Sequence, residues 1–173
     1  METLTKAKSV IYLRDANPGD VPEILALIRE LAVYEKEPDA ALATEADLLR
    51  DGFGPEPYFR CIMAEIDGSI AGFALYFFQY STWEGRPALY LEDLFVREAF
   101  RKRGIGVALF RRLAQIALER NCTRFQWECL DWNKPALDFY ETTGANVLRE
   151  WLNLRVTGEA LKALAGSSDY QQP

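Results

Sequence analysis

The segment Arg101-Lys-Arg-Gly104-Ile-Gly106 holds residues whose types and spacing predict chemistry, and it lies between a strand-like run and an amphipathic run. Glycines let backbone N–H groups approach a ligand closely. A helix N-terminus adds unpaired N–H groups at the positive end of its dipole, which favours anions. The neighbouring basic side chains add charge, so the segment predicts a site that holds an anion.

The glycine spacing differs from two common nucleotide-binding motifs. A P-loop requires G-x-x-x-x-G-K-[ST] and the dinucleotide fingerprint requires G-x-G-x-x-G, and neither fits this segment. ATP and NAD are therefore disfavoured as ligands. A plain turn before a helix is the alternative interpretation of so short a motif.

Two adjacent acidic residues, Glu92 and Asp93, lie in a run of strand-like composition. Neighbouring strand side chains point to opposite faces unless a bulge intervenes, so we expect only one of them to face a cleft. That carboxylate could bind a cation or accept a proton, and it could equally pair with a nearby arginine.

The absence of histidine excludes several mechanisms, because the chain contains none among its 173 residues. Ser-His-Asp and Cys-His catalysis and imidazole-based metal sites are ruled out. A general base must therefore be Asp, Glu, Lys, Tyr, Cys or a water that they hold.

The composition is typical of one globular domain, with 49% hydrophobic and 27% charged residues. We predict a single domain over residues 1–173 with short flexible termini. A net charge of −6 argues against nucleic-acid binding. The three cysteines, Cys61, Cys122 and Cys129, match no disulfide framework, and the longest apolar stretch, 70–78, is too short to span a bilayer. We therefore expect a cytoplasmic protein that binds neither nucleic acid nor membrane.

Hydrophobic periodicity and turn signals predict the order β-α-α-β-β-β-α-β-α-β. Asp20 and Glu23 suggest a capping box at the first helix, Thr44 and Asp47 start the second, and Asp67-Gly68 predicts a hairpin turn. The predicted strands are 10–14, 59–66, 70–80, 88–96, 123–130 and 147–156, and the later helices are 105–121 and 133–143, followed by a small polar tail. Hairpins followed by strand-helix-strand alternation predict an α/β fold with a central mixed, mostly antiparallel sheet and helices on both faces.

Arg101, Gly104 and Gly106 fit the pattern R/Q-x-x-G-x-G/A, and through it the chain resembles the GNAT N-acetyltransferases over nearly its whole length. More narrowly, it resembles the diamine acetyltransferase branch, which contains spermidine/spermine acetyltransferases and thialysine-acetylating relatives. The other matching stretches are 27–32, 51–54, 90–93, 131–133, 139–140 and 144–145. Residues 80–86 and 130–133 are more similar to the thialysine-type relatives.

The resemblance implies the GNAT fold, a homodimer, acetyl-CoA as acetyl donor and no metal. The acceptor would be a small cationic amine, a diamine, polyamine or thialysine-like amino acid, attacked without an acyl-enzyme. A protein lysine or N-terminus as acceptor is one alternative. A module that binds acetyl-CoA without turnover is the other.

The resemblance also assigns roles to residues. Glu92 would bind the acceptor amine and assist its deprotonation, Tyr140 would protonate the leaving thiolate, and Asp93 would be structural or an outer member of the site. The acetyl-CoA site would comprise Leu94, Phe95, Val96, Arg101, Lys102, Arg103, Gly104, Ile105, Gly106, Val107, Asn133 and Ala136. The acceptor site would comprise Tyr34, Glu35, Ser81, Thr82, Glu92, Asp93 and Glu128. Backbone N–H groups near residues 94–96 would stabilise the oxyanion.

Overall fold

The computed structural model of the protein describes residues 10–166. The predicted flexible termini and polar tail lie mostly in residues 1–9 and 167–173, outside the described residues. The elements, in chain order, are β1 (Ile11–Asp15), α1 (Val21–Tyr34), α2 (Glu45–Phe53), β2 (Arg60–Ile66), β3 (Ser69–Ser81), β4 (Arg86–Val96), α3 (Ile105–Glu119), β5 (Phe125–Trp127), α4 (Lys134–Thr142) and α5 (Gly158–Gly166). They form two compact units, one ending at Glu128 and one beginning at Cys129. None of the helices within 10–166 is both long enough and apolar enough to cross a membrane. That residues 1–173 form a single domain therefore stays a prediction.

The first unit contains a five-stranded sheet in the order β1-β2-β3-β4-β5. Strands β1 to β4 pair antiparallel and β5 pairs parallel to β4. The predicted mixed, mostly antiparallel sheet is therefore confirmed. The Asp67-Gly68 turn is also confirmed: both residues have positive φ, 52° and 76°, as a primed two-residue hairpin turn requires.

Both faces of this sheet are covered. Consecutive residues of β2, from Cys61 to Ala64, are buried, which an open face would not allow. Cys61 and Met63 pack in one cluster with α1, while α3 contacts β1 to β4. The ring of Phe110 on α3 lies 4.7 Å and 4.8 Å, between ring centroids, from the aromatic rings of Phe125 and Trp127 on β5.

The start of α1 differs from the predicted capping box. The Asp20 carboxylate makes no capping hydrogen bond to α1, because it accepts two hydrogen bonds of 2.7 Å from Arg14 and one of 2.8 Å from the Asn17 N–H. Asn17 and Asp20 form a capping box around the preceding 3-10 turn instead. The predicted partner, Glu23, bonds to Arg97. The predicted start of α2 at Thr44 is confirmed, with a capping box to Asp47.

The second unit differs more from the prediction. Residues 147–156 form no strand, and a helix, α5, occupies 158–166. A β-strand requires a second backbone along one of its edges. Residues 147–156 have no such neighbour within the described part of the chain, and Trp151, Leu152 and Leu154 are 69%, 81% and 86% exposed. Apolar alternation therefore identified a segment suited to pairing, but not the pairing itself.

Close backbone approach at Gly72 yields a stability prediction. Gly72 lies opposite Val96, and a Cβ at this position would collide with the carbonyl oxygen of Phe95 and lie 3.1 Å from the Val96 Cα. Gly72→Ala is expected to lower the free energy of unfolding, measured by urea titration, by about 1–3 kcal/mol. Gly106→Ala is the control, because its Cβ would lie 4.0 Å from the Val96 Cγ2, an ordinary contact. Equal stability of Gly72→Ala and the parent chain would contradict the steric argument.

Candidate active site

A β-bulge lies where the sequence places its two adjacent carboxylates. Asp93 pairs with Leu75 and Leu91 pairs with Tyr76, so Glu92 is an extra residue of β4 between two paired positions. A bulge interrupts side-chain alternation and redirects the residues beside it. The alternation that would separate Glu92 and Asp93 onto opposite faces is therefore broken here.

Three carboxylates form an acidic cluster, which we define as Glu35, Glu92 and Asp93. The pKa of Asp93 is raised to about 6, chiefly by burial and then by the negative charges of Glu92 and Glu35. Burial also raises the pKa of Glu35, which follows the last turn of α1. Glu92 is exposed. The predicted acceptor residues Glu35, Glu92 and Asp93 are thus brought together.

Arg101 ties the end of α1 to the end of β4. Its Nε donates a 3.0 Å hydrogen bond to the Val96 carbonyl. Its guanidinium lies 4.8 Å from the centre of the Tyr34 ring and 5.5 Å from that of Phe95, two rings that are themselves 6.4 Å apart. Arg101, which the resemblance assigns to acetyl-CoA, therefore has a positioning role in this chain as well.

The glycine segment begins α3 as predicted. Gly104 is the N-cap with φ 86°, and Lys102 before it also has a positive φ of 61°. A glycine N-cap has no side chain to accept from the first-turn N–H groups, which leaves them available to an anion. The Ile105 side chain is buried in the core, so only its backbone can serve the site. Arg103 lies over the Phe100 ring at 5.5 Å.

The edge of β4 that faces β5 is open beyond the bulge. Strand β5 pairs only with residues 89–91, and within residues 10–166 no other strand pairs with this edge. The Arg97 N–H donates to Ala71 on β3 at 2.9 Å, so alternation directs the amide groups of Val96 and Leu94 away from β3. These two backbone groups therefore line the open edge, a few residues before the glycine segment.

Tyr90, Gln126 and Glu128 extend the polar surface beside the bulge. The pKa of Tyr90 is raised to about 12 by burial, by the charge of Glu128 and its hydrogen bond, and by the charge of Glu92. The predicted acceptor residue Glu128 therefore lies beside Tyr90, in the same region as Glu92. Gln126 pairs with Tyr90, and its Oε1 is buried without a hydrogen-bond partner in the described chain. Sequence reasoning missed Tyr90 and Gln126, whose types alone signal no site.

Arg97 was also missed, because an arginine after a strand signals only charge. Its guanidinium donates to both Glu30 oxygens at 2.9–3.1 Å, to Glu23 at 2.9 Å and to the Ile70 carbonyl at 3.1 Å. It therefore holds α1 against the ends of β3 and β4, and so positions the elements that carry the acidic cluster.

Two predicted acceptor residues lie elsewhere. Ser81 and Thr82 are at the β3–β4 turn, where Ser81 pairs with Arg86 and its Oγ accepts a 3.3 Å hydrogen bond from the Glu84 N–H. Arg86 and Glu92 are six positions apart along β4, about 20 Å of extended strand. Ser81 and Thr82 are therefore not brought to the acidic cluster of their own chain.

The remaining predicted residues, Asn133, Ala136 and Tyr140, belong to the second unit. Asn133 precedes α4, and its side chain makes no capping hydrogen bond. Tyr140 is half-buried on α4, with its ring 5.4 Å from that of Phe139. Their roles toward acetyl-CoA stay predictions.

Known proteins with similar sequences identify the family of this chain. The profile of the Acetyltransferase (GNAT) family matches residues 22–145. The chain belongs to this family. It is 44% identical over 167 residues to a thialysine N-epsilon-acetyltransferase of Sus scrofa, covering 90% of this chain and 98% of that protein. It is 43% identical over 140 residues to a spermidine/spermine N(1)-acetyltransferase-like protein of Homo sapiens, covering 77% of this chain and 20% of that protein.

A solved structure gives the same fold. An integron cassette protein from the mobile metagenome of V. cholerae superimposes with a TM-score of 0.77 at 30% identity, covering 91% of this chain and 98% of that one. The predicted GNAT fold, family membership and acetyl-CoA-dependent N-acetyltransferase activity are confirmed. Among residues 10–166, no group of three or more His, Cys, Asp or Glu side chains could hold a metal ion.

The raised pKa of Asp93 predicts how its removal changes stability. The folded pKa of about 6 exceeds the ordinary value of 3.8, so the native state binds more protons between these pH values and ionised Asp93 costs stability above them. Asp93→Asn is therefore expected to raise the free energy of unfolding by about 1–3 kcal/mol near neutral pH, and the gain should vanish below about pH 4.

Urea titrations at both pH values measure this difference. Glu98→Gln is the control, because Glu98 is exposed and should show no such gain. A loss of stability in Asp93→Asn near neutral pH would mean that ionised Asp93 is stabilised in the fold, contrary to its position in the acidic cluster.

Proposed function

We propose that the protein transfers an acetyl group from acetyl-CoA directly to a primary amine of a small diamine, polyamine or thialysine-like amino acid. The observation that carries this proposal is the acidic cluster beside the open edge of β4. Such acceptors carry ammonium groups separated by methylenes, and they need negative charge beside apolar surface. The half-buried ring of Tyr34 provides that surface, and the names of the two similar relatives support the substrate class.

The acceptor must lose a proton before it reacts. An amine with a pKa of about 10 arrives protonated, and only the neutral amine can attack a thioester. In this proposal Glu92 binds and orients the ammonium group, directly or through water. Asp93, whose pKa is raised to about 6, is a better proton acceptor at neutral pH than an ordinary aspartate. Glu35 adds to the attraction for the cation.

The transfer proceeds through a tetrahedral intermediate. The neutral amine nitrogen attacks the thioester carbon and then loses its second proton to water. The C–S bond breaks, and the products are an acetylated amine and coenzyme A. Backbone N–H groups of Leu94 and Val96 stabilise the oxyanion. The Tyr140 hydroxyl protonates the leaving thiolate.

The chain offers groups for the rest of acetyl-CoA. The first turn of α3, with Lys102 and Arg103, suits the phosphates. Asn133 and Ala136 suit the amide-rich arm. The unpaired Oε1 of Gln126 can accept a hydrogen bond from a substrate N–H group.

A homodimer in the cytosol is the proposed working form. The exposed apolar run at 147–156, including Trp151, Leu152 and Leu154, supports a partner surface. Ser81 and Thr82 lie far along the strand from their own acidic cluster, which supports a contribution to the partner's acceptor site. The cysteine pattern supports a reducing compartment.

Sedimentation equilibrium tests the oligomeric state. We expect a dimer mass over a range of concentrations, and a shift toward monomer in a Trp151→Ser, Leu154→Ser variant, because burial of these side chains would stabilise the interface. Leu161→Ser, also exposed, is the control outside the run. A monomer mass for the parent chain at every concentration would contradict the dimer.

An acceptor panel tests the activity. Thiol release from acetyl-CoA is measured with spermidine, spermine, putrescine, thialysine, lysine and a lysine peptide. We expect saturable turnover with a small amine and little with the peptide. Tyr140→Phe should lower kcat by about 100-fold or more while leaving acetyl-CoA affinity nearly unchanged, because its hydroxyl acts in the transition state.

Two outcomes would overturn the proposal. Turnover with the peptide alone would make the protein a protein acetyltransferase. Binding of acetyl-CoA without thiol release for any amine would favour a non-catalytic module.

A further inference from the structure

A cavity of about 220 Å³ lies in the first unit at the end of α3 opposite the glycine segment. It is bounded by the C-terminal half of α3, the ends of β1 to β3, and residues 52–59. None of the residues assigned to acetyl-CoA or the acceptor lines it. The acetyl-transfer site therefore leaves this cavity unexplained.

The inner wall of the cavity is aromatic. Tyr76 is only 4% exposed, and its ring meets that of Phe78 edge to face, with centroids 5.9 Å apart and an interplanar angle of 87°. Phe53, the last residue of α2, and Phe59, just before β2, line the same cavity. Such a wall suits a flat apolar group, because aromatic pairs are stabilised beyond their simple area burial.

The rim of the cavity is positively charged. It carries Arg60, Arg112 and Arg120 against Asp15 and Glu119. Arg112 pairs with Glu119 at 2.9 Å, so their charges offset each other.

The other two arginines are not neutralised in this way. Within residues 10–166, neither Arg60 nor Arg120 forms an ion pair with a carboxylate, and the Arg120 guanidinium lies 6.0 Å from the centre of the Phe78 ring. The charges of Arg60, Arg112 and Arg120 all lower the pKa of the Tyr76 phenol, while burial, the larger effect, and Asp15 raise it. All three guanidinium groups therefore lie within electrostatic range of the Tyr76 hydroxyl.

We propose that this cavity binds a small aromatic carboxylate, with its ring against Tyr76 and Phe78 and its carboxylate between Arg60 and Arg120. Guanidinium groups match a carboxylate in charge and planar geometry. The volume is below the roughly 300–1,000 Å³ of drug-sized pockets, so the ligand has a single ring. The two arginines outnumber the one unpaired carboxylate, Asp15, which selects a monoanion.

The ligand site is independent of the proposed acceptor. Tyr76, however, pairs with Leu91 directly beside the bulge at Glu92. The cavity wall and the acidic cluster therefore share one pair of strands.

Isothermal titration of the full chain with benzoate tests the proposal. Benzamide keeps the ring without the charge, and acetate keeps the charge without the ring. We expect saturable benzoate binding, with affinities for benzamide and acetate at least about tenfold weaker. Benzamide loses a hydrogen-bonded charge, and acetate loses the buried aromatic ring. The binding readout needs no turnover, so it stands whether or not the acceptor panel succeeds.

Matched variants locate the binding. Arg60→Met, Arg120→Met should weaken benzoate binding at least about tenfold. Arg111→Met, on α3 but outside the cavity, should leave it unchanged. If urea titration shows that the double variant is not folded, the single Arg120→Met variant is tested in its place.

Three results would overturn the proposal. They are an absence of saturable benzoate binding, equal affinity for benzamide, and displacement of benzoate by coenzyme A, which would place the anion at the glycine segment instead.

Discussion

One extra residue in β4 determines how the site is arranged. Strands β3 and β4 pair on both sides of Glu92, so the insertion is absorbed locally as a bulge rather than by a slip of the whole register. The bulge places Glu92 and Asp93 near Glu35. It also coincides with the end of the β4–β5 pairing, so backbone amides become available beside the carboxylates. Charge and hydrogen-bond donors therefore arise from one irregularity.

The acidic cluster has a cost that other contacts offset. Asp93 is half-buried beside two like charges, which disfavours its ionised form. Arg97 and Arg101 hold α1 and the loop before α3 against the end of β4, through four acceptor groups and two aromatic rings. These contacts keep the carboxylates close despite their repulsion. The raised proton affinity of Asp93 is thus maintained at the expense of stability.

Local chemistry could be predicted from the sequence, and long-range pairing could not. The Asp67-Gly68 turn and the start of α3 depend on the φ preferences of a few adjacent residues, so both were predicted correctly. The capping role of Asp20 was wrong because Arg14 competes for its carboxylate. The proximity of Asp93 to Glu35 depends on a bulge that no local pattern specifies. Residues 147–156 carry strand-like alternation, but a strand also needs a partner edge.

The bond between Arg97 and Glu30 spans 67 residues of sequence, which has a consequence during synthesis. Helix α1 emerges from the ribosome long before its anchoring arginine. At about 5–20 residues per second, roughly 3 to 13 s pass before that arginine is even polymerised. During this interval Glu23 and Glu30 have no partner in Arg97, and β2 and β3, which cover the apolar face of α1, are themselves being made. These two bonds between α1 and the sheet can therefore form only after β4 is complete.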